Sequence, residues 1–187
     1  MLTLITNLNA VVNKYLTRLQ DLKPGGKVLD DALHTAADEA LTSSRERIHT
    51  RGQAGDGSAI GAYSTAPMYV SMSRVPAPAD AVGKRGTATF ANGKPHRSHY
   101  YAGGYNDYKT AIGLNTSGSV NLTLTGEMRD SYQVIKTADG YGLGWDDAEI
   151  AQRAEVLESK YGKKIWTLTE KELQSLVTTV AEKLDIN

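Results

Sequence analysis

Basic residues and tyrosines are interleaved along one stretch of the chain, from Arg74 to Lys109. Proteins that bind single-stranded nucleic acid combine cations, which neutralise phosphates, with aromatic rings, which stack on bases. Arginine and tyrosine also dominate contacts between proteins. Three interpretations are open for this predicted interaction segment: a protein contact, a nucleic-acid contact, or a solvated loop. Its candidate contact residues are Arg74, Lys84, Arg85, Lys94, Arg97, Tyr100, Tyr101, Tyr105, Tyr108 and Lys109.

Charge is unevenly distributed, although the chain of 187 residues has no net charge. Residues 74–109 hold six basic and two acidic side chains, whereas residues 110–187 hold eight basic and twelve acidic ones. A basic middle and an acidic C-terminal part permit complementary contacts between copies of the chain.

The histidines and cysteines limit the chemistry that the chain can perform. His34 and His49 lie on one predicted helix but about 22 Å apart at 1.5 Å per residue, too far to share a metal. His96 and His99 form a His-x-x-His pair, which alone is only weak evidence for a zinc site. Zero cysteines exclude thiolate sites and cysteine nucleophiles. No nucleophile elbow, P-loop or His-Glu-x-x-His motif occurs. We therefore expect no catalytic residue, no metal and no cofactor, in a protein that is not an enzyme.

The N-terminal part of the chain is predicted to be helical over residues 1–51. Apolar residues spaced three and four apart indicate an amphipathic helix over 5–22 and a second helix over 28–50. Residues 52–61 contain too many glycines for regular structure.

Two further helices are predicted near the C-terminus. Asp147 is expected to cap a helix that ends at Tyr161, with Gly162 in the left-handed position. Thr169 begins a capping box and a last helix that runs to about Leu184.

Strands are expected in the middle of the chain. Residues 68–72 form a plausible strand, and alternation predicts strands over 120–125, 130–136 and 141–145. Residues 75–118, rich in proline and glycine, are expected to form a long irregular loop.

These elements predict an α+β fold, because strands do not alternate with helices. An antiparallel meander is expected to pack with N-terminal and C-terminal helices in a single domain over 1–187, with the hairpins and last helices in 119–187. No apolar run approaches the roughly 18 residues that span a bilayer, so we expect no membrane association. Without cysteines, the chain is expected to work or assemble in a cytoplasm.

Several short segments resemble the neck and tail-completion proteins of bacteriophages, which overlap in pattern with the phage virion-morphogenesis family. The family has a Thr-Gly turn followed by Leu-Arg-Ser-like residues. The matching segment here runs from Val120 to Tyr132, and its residues at those positions are Thr125, Gly126, Met128, Arg129 and Ser131. Further matches are Arg47-Ile48 before a glycine-rich loop with Asp56-Gly57, then Tyr63-Ser64, and the run 162–172 with Gly162, Trp166 and Thr169. Residues 76–98 have no counterpart in the family.

The resemblance implies a structural protein of the virion, assembled in the bacterial host cytoplasm, with no catalysis. Such proteins form rings that join head and tail or cap the tail tube. The implied partners are copies of the chain and connector, portal-side or tail-tube proteins, with DNA in the channel nearby. We expect the basic segment to meet the acidic C-terminal part of a neighbour or of another partner. The alternative is a nucleic-acid-binding module that uses the same segment.

Overall fold

The structure is a computed structural model that describes residues 23, 26–71, 74, 76–77, 84–89, 95–114, 119–138 and 140–185. For residues 84–89 and 95–97 it describes the backbone alone. The helix predicted over 5–22 and the candidate contact residue Lys94 lie outside the described residues.

The described elements confirm the predicted α+β class. In chain order they are α1 (Lys27–His49), β1 (Met68–Ser71), β2 (Lys84–Thr89), β3 (Pro95–Tyr101), α2 (Gly104–Ala111), α3 (Glu127–Asp130), β4 (Gln133–Thr137), β5 (Gly140–Gly144), α4 (Ala148–Tyr161) and α5 (Glu170–Lys183).

The elements form two compact units that are interleaved along the chain. One, here called the hairpin unit, contains the described residues up to 43, those within 133–144 and those from 170 to 185. The other, the sheet unit, contains the described residues within 44–132 and 145–169. Neither unit is a continuous segment, because the chain crosses between them four times.

The hairpin unit holds the first part of α1, the β4–β5 hairpin and α5. The helical face of α1 is rich in alanine, which favours helix, and Ala36 and Ala40 are buried there. The Asp30 carboxylate accepts hydrogen bonds from Lys136 Nζ at 3.1 Å and from Tyr141 Oη at 2.9 Å. These bonds tie both strands of the hairpin to α1.

The sheet unit contains a three-stranded antiparallel sheet with the order β1-β3-β2. Val70 of β1 stands opposite His99, and Lys84 of β2 stands opposite Tyr100. Val70, Tyr101 and Tyr108 are buried together as one apolar cluster.

The expectation of a long irregular loop over 75–118 is wrong for β2, β3 and α2. The strands β2 and β3 consist mainly of Lys, Arg, His, Ser and Thr rather than alternating apolar residues. Hydrophobic periodicity therefore did not indicate them. Backbone pairing organises the two strands instead, because β3 pairs with β1 on one side and with β2 on the other. Pro95 is tolerated as the first residue of β3, where a strand can accommodate a missing donor.

The strand predicted over 120–125 is also wrong. Ser119 makes an isolated bridge to Ala62, and no strand follows. Leu122 has a positive φ of 49°, which a strand does not permit. Thr123 N donates to Asn121 Oδ1 at 3.2 Å, and Thr123 Oγ1 donates to Asn121 O at 3.0 Å. These local bonds compete with a β ladder.

The Thr125-Gly126 pair is therefore not a turn of the sheet. Gly126 has a φ of 90° and begins the one-turn helix α3. The strands also form two separate sheets rather than one meander. The hairpin that follows is confirmed, with strands at Gln133–Thr137 and Gly140–Gly144.

The predicted C-terminal helices are confirmed. Asp147 Oδ1 accepts from the backbone N–H of Glu149 at 2.8 Å and of Ile150 at 3.2 Å, and Gly162 ends α4 with a φ of 63°. The last helix, α5, begins at Glu170, one residue after the predicted cap.

Arg47, near the end of α1, connects three segments of the sheet unit. Its guanidinium is buried and donates to the carbonyl oxygens of Gln53 at 3.0 Å and Ile165 at 3.1 Å through Nη1, and to Thr167 O at 3.0 Å through Nη2. The adjacent Ile48 packs with Ile165 in the apolar core. A guanidinium carries five donors in a rigid planar fork, whereas an ammonium is a compact group with three donors and reaches acceptors on separate segments less well.

Gly55 allows the glycine-rich loop to lie directly against the segment after α4. Its backbone N–H donates to Lys164 O at 2.8 Å. A Cβ at this position would lie 2.5 Å from Thr167 O, so only glycine permits this close approach.

We expect the substitution Arg47→Lys to lower the free energy of unfolding by about 3 kcal/mol, because buried carbonyl oxygens lose their donors while a buried charge remains. Urea unfolding followed by tryptophan fluorescence measures this loss. Arg51→Lys is the matched control, since its side chain is 59% exposed and pairs with exposed Glu46. Its expected change is below about 0.5 kcal/mol. Equal losses in the two variants would contradict the role of Arg47.

Candidate functional site

An open cleft of about 610 Å³ lies in the sheet unit. Apolar and aromatic side chains dominate its lining, with Arg74 and Lys160 as cations and no acidic residue among the described lining residues. The residues that define this aromatic cleft are Ala62, Tyr63, Ser64, Met68, Arg74, Tyr105, Leu122, Thr123, Leu124, Leu157, Lys160 and Tyr161. Its size is that of ordinary ligand and peptide pockets.

Polar contacts hold the irregular segment 121–124 that forms one wall of the aromatic cleft. Tyr63 Oη donates to Asn121 Oδ1 at 2.8 Å and accepts from Asn121 N at 3.1 Å. Asn121 Nδ2 donates to Leu114 O at 2.9 Å. Leu122 adopts the left-handed conformation in this wall, which costs free energy that the surrounding contacts must offset.

Lys109 lies behind this wall rather than on the surface. Its side chain is fully buried, its Nζ donates to Thr123 O, and it lies 5.4 Å from the ring centroid of Tyr63. Burial lowers the pKa of Lys109 to about 8 and raises the pKa of Tyr63 to about 12, because burial disfavours the charged form of each group. Lys109 therefore supports the wall from inside.

Arg74 stands at the rim of the aromatic cleft, over two tyrosine rings. Its Cζ lies 5.6 Å from the centroid of Tyr105 and 5.5 Å from that of Tyr108. Tyr108 is buried and donates from Oη to Pro76 O at 2.6 Å. Burial raises the pKa of Tyr105, and the nearby Arg74 charge opposes that shift. The exposed guanidinium thus has an aromatic platform beneath it.

The predicted contact residues separate into two groups. Arg74, Tyr105, Tyr108 and Lys109 meet around the aromatic cleft, although Tyr108 and Lys109 are buried. Tyr101 is also buried, in the core under the sheet.

The second group lies on the sheet. The ring centroid of Tyr100 lies 5.1 Å from that of exposed Tyr69. In the register, Lys84 stands opposite Tyr100, Arg85 opposite His99 and Arg97 opposite Thr87.

Of the cleft residues, sequence reasoning predicted Arg74 and Tyr105 as contact residues and missed the others, among them Tyr63, Lys160 and Tyr161. Lys160 and Tyr161 end α4, far along the chain from the predicted interaction segment. Only the arrangement of the elements brings them to the cleft, so no local signal could have found them.

Met128, one of the residues on which the predicted resemblance to the phage family rests, contacts a cluster of tryptophan rings. Met128 O accepts a hydrogen bond from Trp145 Nε1 at 2.9 Å, and Trp145 packs edge-on against Trp166 at 4.7 Å. Arg129 pairs with the neighbouring Asp130 carboxylate at 2.8 Å, on the surface.

The remaining motif residues shape the ends of α3. Gly126 supplies its left-handed start beside exposed Thr125, and Ser131 Oγ donates to Glu127 O at 2.6 Å at its end. The motif positions thus have structural contacts in this fold.

Comparison of the chain with protein-family models, curated proteins and solved structures gave no match. Across the described residues, no group of three or more histidine, cysteine or acidic side chains is arranged to hold a metal ion. None of the helices that the structure describes has both the length and the apolar character needed to cross a membrane.

His49 contacts the cleft wall from the end of α1. Its Nδ1 lies 3.2 Å from Asn121 O, so the neutral ring carries its proton there. Its Nε2 is buried and has no hydrogen-bond partner among the described residues. Burial lowers the pKa of His49 to about 4, since a second proton would place an unpaired charge in the interior.

We expect His49 to make the protein less stable as pH falls from 6.5 to 4. In this range the unfolded chain binds a proton that the folded protein does not, so the free energy of unfolding decreases, by on the order of 3 kcal/mol for a shift of this size. Urea unfolding at a series of pH values measures this change. In the variant His49→Gln, the free energy of unfolding should decrease less between pH 6.5 and 4 than in the wild type. His34→Gln, which alters an exposed histidine of α1, should keep the wild-type decrease. Parallel curves for wild type and His49→Gln would contradict the assignment.

Proposed function

We propose that this protein is a structural component of a tailed phage or prophage particle, without catalytic activity. In this proposal, copies of the chain form a ring that joins head and tail or caps the tail tube. Its partners are neighbouring copies and the connector, portal-side or tail-tube proteins next to the ring.

One observation carries the proposal: the separate segments that resemble the phage family pack against one another. Arg47 donates to Ile165 O, 118 residues away along the chain. Tyr63 bonds to Asn121, 58 residues away, and the rings of Tyr132 and Trp166 lie 5.7 Å apart. Ile48, Val120 and Ile165, one from each of three of these segments, are buried in the same apolar core. Their convergence supports the view that they mark one shared framework.

The aromatic cleft supports the assembly role. It is open, mostly apolar and lined by two cations, Arg74 and Lys160. Apolar anchors surrounded by charged groups are typical of the binding centres of protein interfaces. A subunit that joins other subunits needs such a surface.

We expect a phage or prophage in which this gene is interrupted to produce heads and tails that do not join, or tails of abnormal length. Electron microscopy of lysates and the titre of infectious particles measure this. Supplying the intact gene from a plasmid should restore normal particles. Normal infectious particles from the interrupted gene would contradict the proposal.

A second candidate function, binding of single-stranded nucleic acid, is favoured by the exposed face of the sheet. Tyr69 is 59% exposed and stands opposite Tyr100, which in turn stands opposite Lys84. Opposite residues on neighbouring strands share a face of the sheet. Two adjacent rings with a basic position beside them resemble the stacking surfaces of single-strand binders.

If the sheet binds nucleic acid, a fluorescent single-stranded oligonucleotide should bind at low salt and dissociate as salt rises. The substitution Tyr100→Ala should weaken binding about fivefold or more, because one stacking platform is lost. Tyr100→Phe keeps the ring and should bind like the wild type. Absence of binding at low salt, measured by fluorescence anisotropy, would remove this candidate.

A further inference from the structure

We propose that the aromatic cleft of one copy receives the outer face of helix α5 of a neighbouring copy. This inference rests on the proposed function, because it names the partner surface that would build the ring. The occupant is the apolar stripe of α5, which consists of Leu173 and Val177.

The apolar stripe is exposed in the described structure. Leu173 is 44% and Val177 is 65% exposed. Four residues apart, they lie on one helix face and about 6 Å apart along the axis. Another face of α5 contacts its own unit, where Thr179 Oγ1 donates to Glu39 Oε2 at 2.6 Å. The stripe thus remains available to a partner.

The stripe and the cleft are complementary in apolar character. Met68, Leu122, Leu124 and Leu157 provide aliphatic lining, together with the tyrosine rings. Helices commonly bind in such grooves through apolar anchors spaced three or four residues apart. Leu173 and Val177 supply two anchors with this spacing.

The two surfaces are also complementary in charge. Arg74 and Lys160 are the cations of the cleft lining, whose described residues include no carboxylate. Exposed Glu170 lies three residues before Leu173 and on the same side of α5. Docking of the stripe would bring the Glu170 carboxylate to the cationic rim, which favours this orientation over the reverse one.

The cleft and the stripe are different surfaces. Each copy can therefore place its stripe in the cleft of one neighbour and receive the stripe of another neighbour in its own cleft. When a copy uses its stripe on one neighbour and its cleft on another, the contact is heterologous and produces a closed ring or an open filament. Arg74 then represents the predicted basic segment in this contact, and Glu170 represents the acidic C-terminal part. The predicted contact between these two regions then occurs between the aromatic cleft of one copy and the apolar stripe of the next.

The absence of cysteine from the chain permits a direct test. Two single-cysteine variants, Lys160→Cys at the cleft and Val177→Cys on the stripe, are mixed and treated with a short bismaleimide. We expect a crosslinked dimer from the mixture and much less from either variant alone, because only unlike surfaces meet. Adding Arg74→Glu to the cleft variant should lower the yield roughly tenfold, since the rim then repels Glu170.

Ser175→Cys is the matched control for the stripe. Ser175 is exposed and points to the opposite side of α5 from Val177, so its mixture with Lys160→Cys should give little crosslink. Circular dichroism of each variant checks that it is folded. Equal crosslinking through Ser175→Cys and Val177→Cys would overturn the inference, as would stronger crosslinking of either variant with itself.

Two further outcomes separate this inference from the proposed function. A double variant, Lys160→Cys with Val177→Cys, that crosslinks only within one copy would overturn the contact between copies. If no specific crosslink forms but interruption of the gene still prevents joining of heads and tails, the docking inference fails and the phage role stands. If the crosslink forms but interruption of the gene leaves particles normal, the contact stands and the phage role is wrong.

Discussion

The buried guanidinium of Arg47 joins parts of the sheet unit that also meet through the Gly55–Lys164 backbone bond and the packing of Ile48 on Ile165. It satisfies carbonyl oxygens of the glycine-rich loop and of the segment that follows α4. That segment carries Ile165 and Trp166, which pack with Ile48 and Tyr132. The position of α4, and hence of Lys160 at the cleft, depends on this connection. An irregular backbone can be buried only where its polar groups have partners.

Much of the helical structure could be predicted, because caps and apolar periodicity are local signals. Asp147 and Gly162 bound α4 as expected, and the hairpin after Ser131 formed within a few residues of the predicted strands. The strands β2 and β3 could not be predicted from periodicity, since their sequences are polar. At Leu122 a strand was predicted where none forms. The sequence around it alternates as in a strand, but contacts from Tyr63 and the side chains of Asn121 and Thr123 favour a left-handed backbone conformation.

The candidate site was predictable in part. Arg74 and Tyr105 belong to the segment whose composition suggested contacts, and both line the cleft. Composition cannot distinguish a side chain that reaches a surface from one that fills a core, and Tyr101 and Lys109 are buried. Tyrosine and lysine have long apolar parts that suit both places. The wall that Lys109 supports, and the arrival of α4 beside it, follow from contacts between distant parts of the chain.

The interleaving of the two units has a consequence for synthesis on the ribosome. The sheet unit needs Ile165 and Thr167 to complete its core and the bonds of Arg47. The hairpin unit includes α5, which follows these residues in the chain. Neither unit can therefore complete its fold co-translationally until the segment from Ile165 through α5 has left the exit tunnel. Chains that stop before this segment expose unfinished cores of both units, and such species are prone to aggregate and to be degraded.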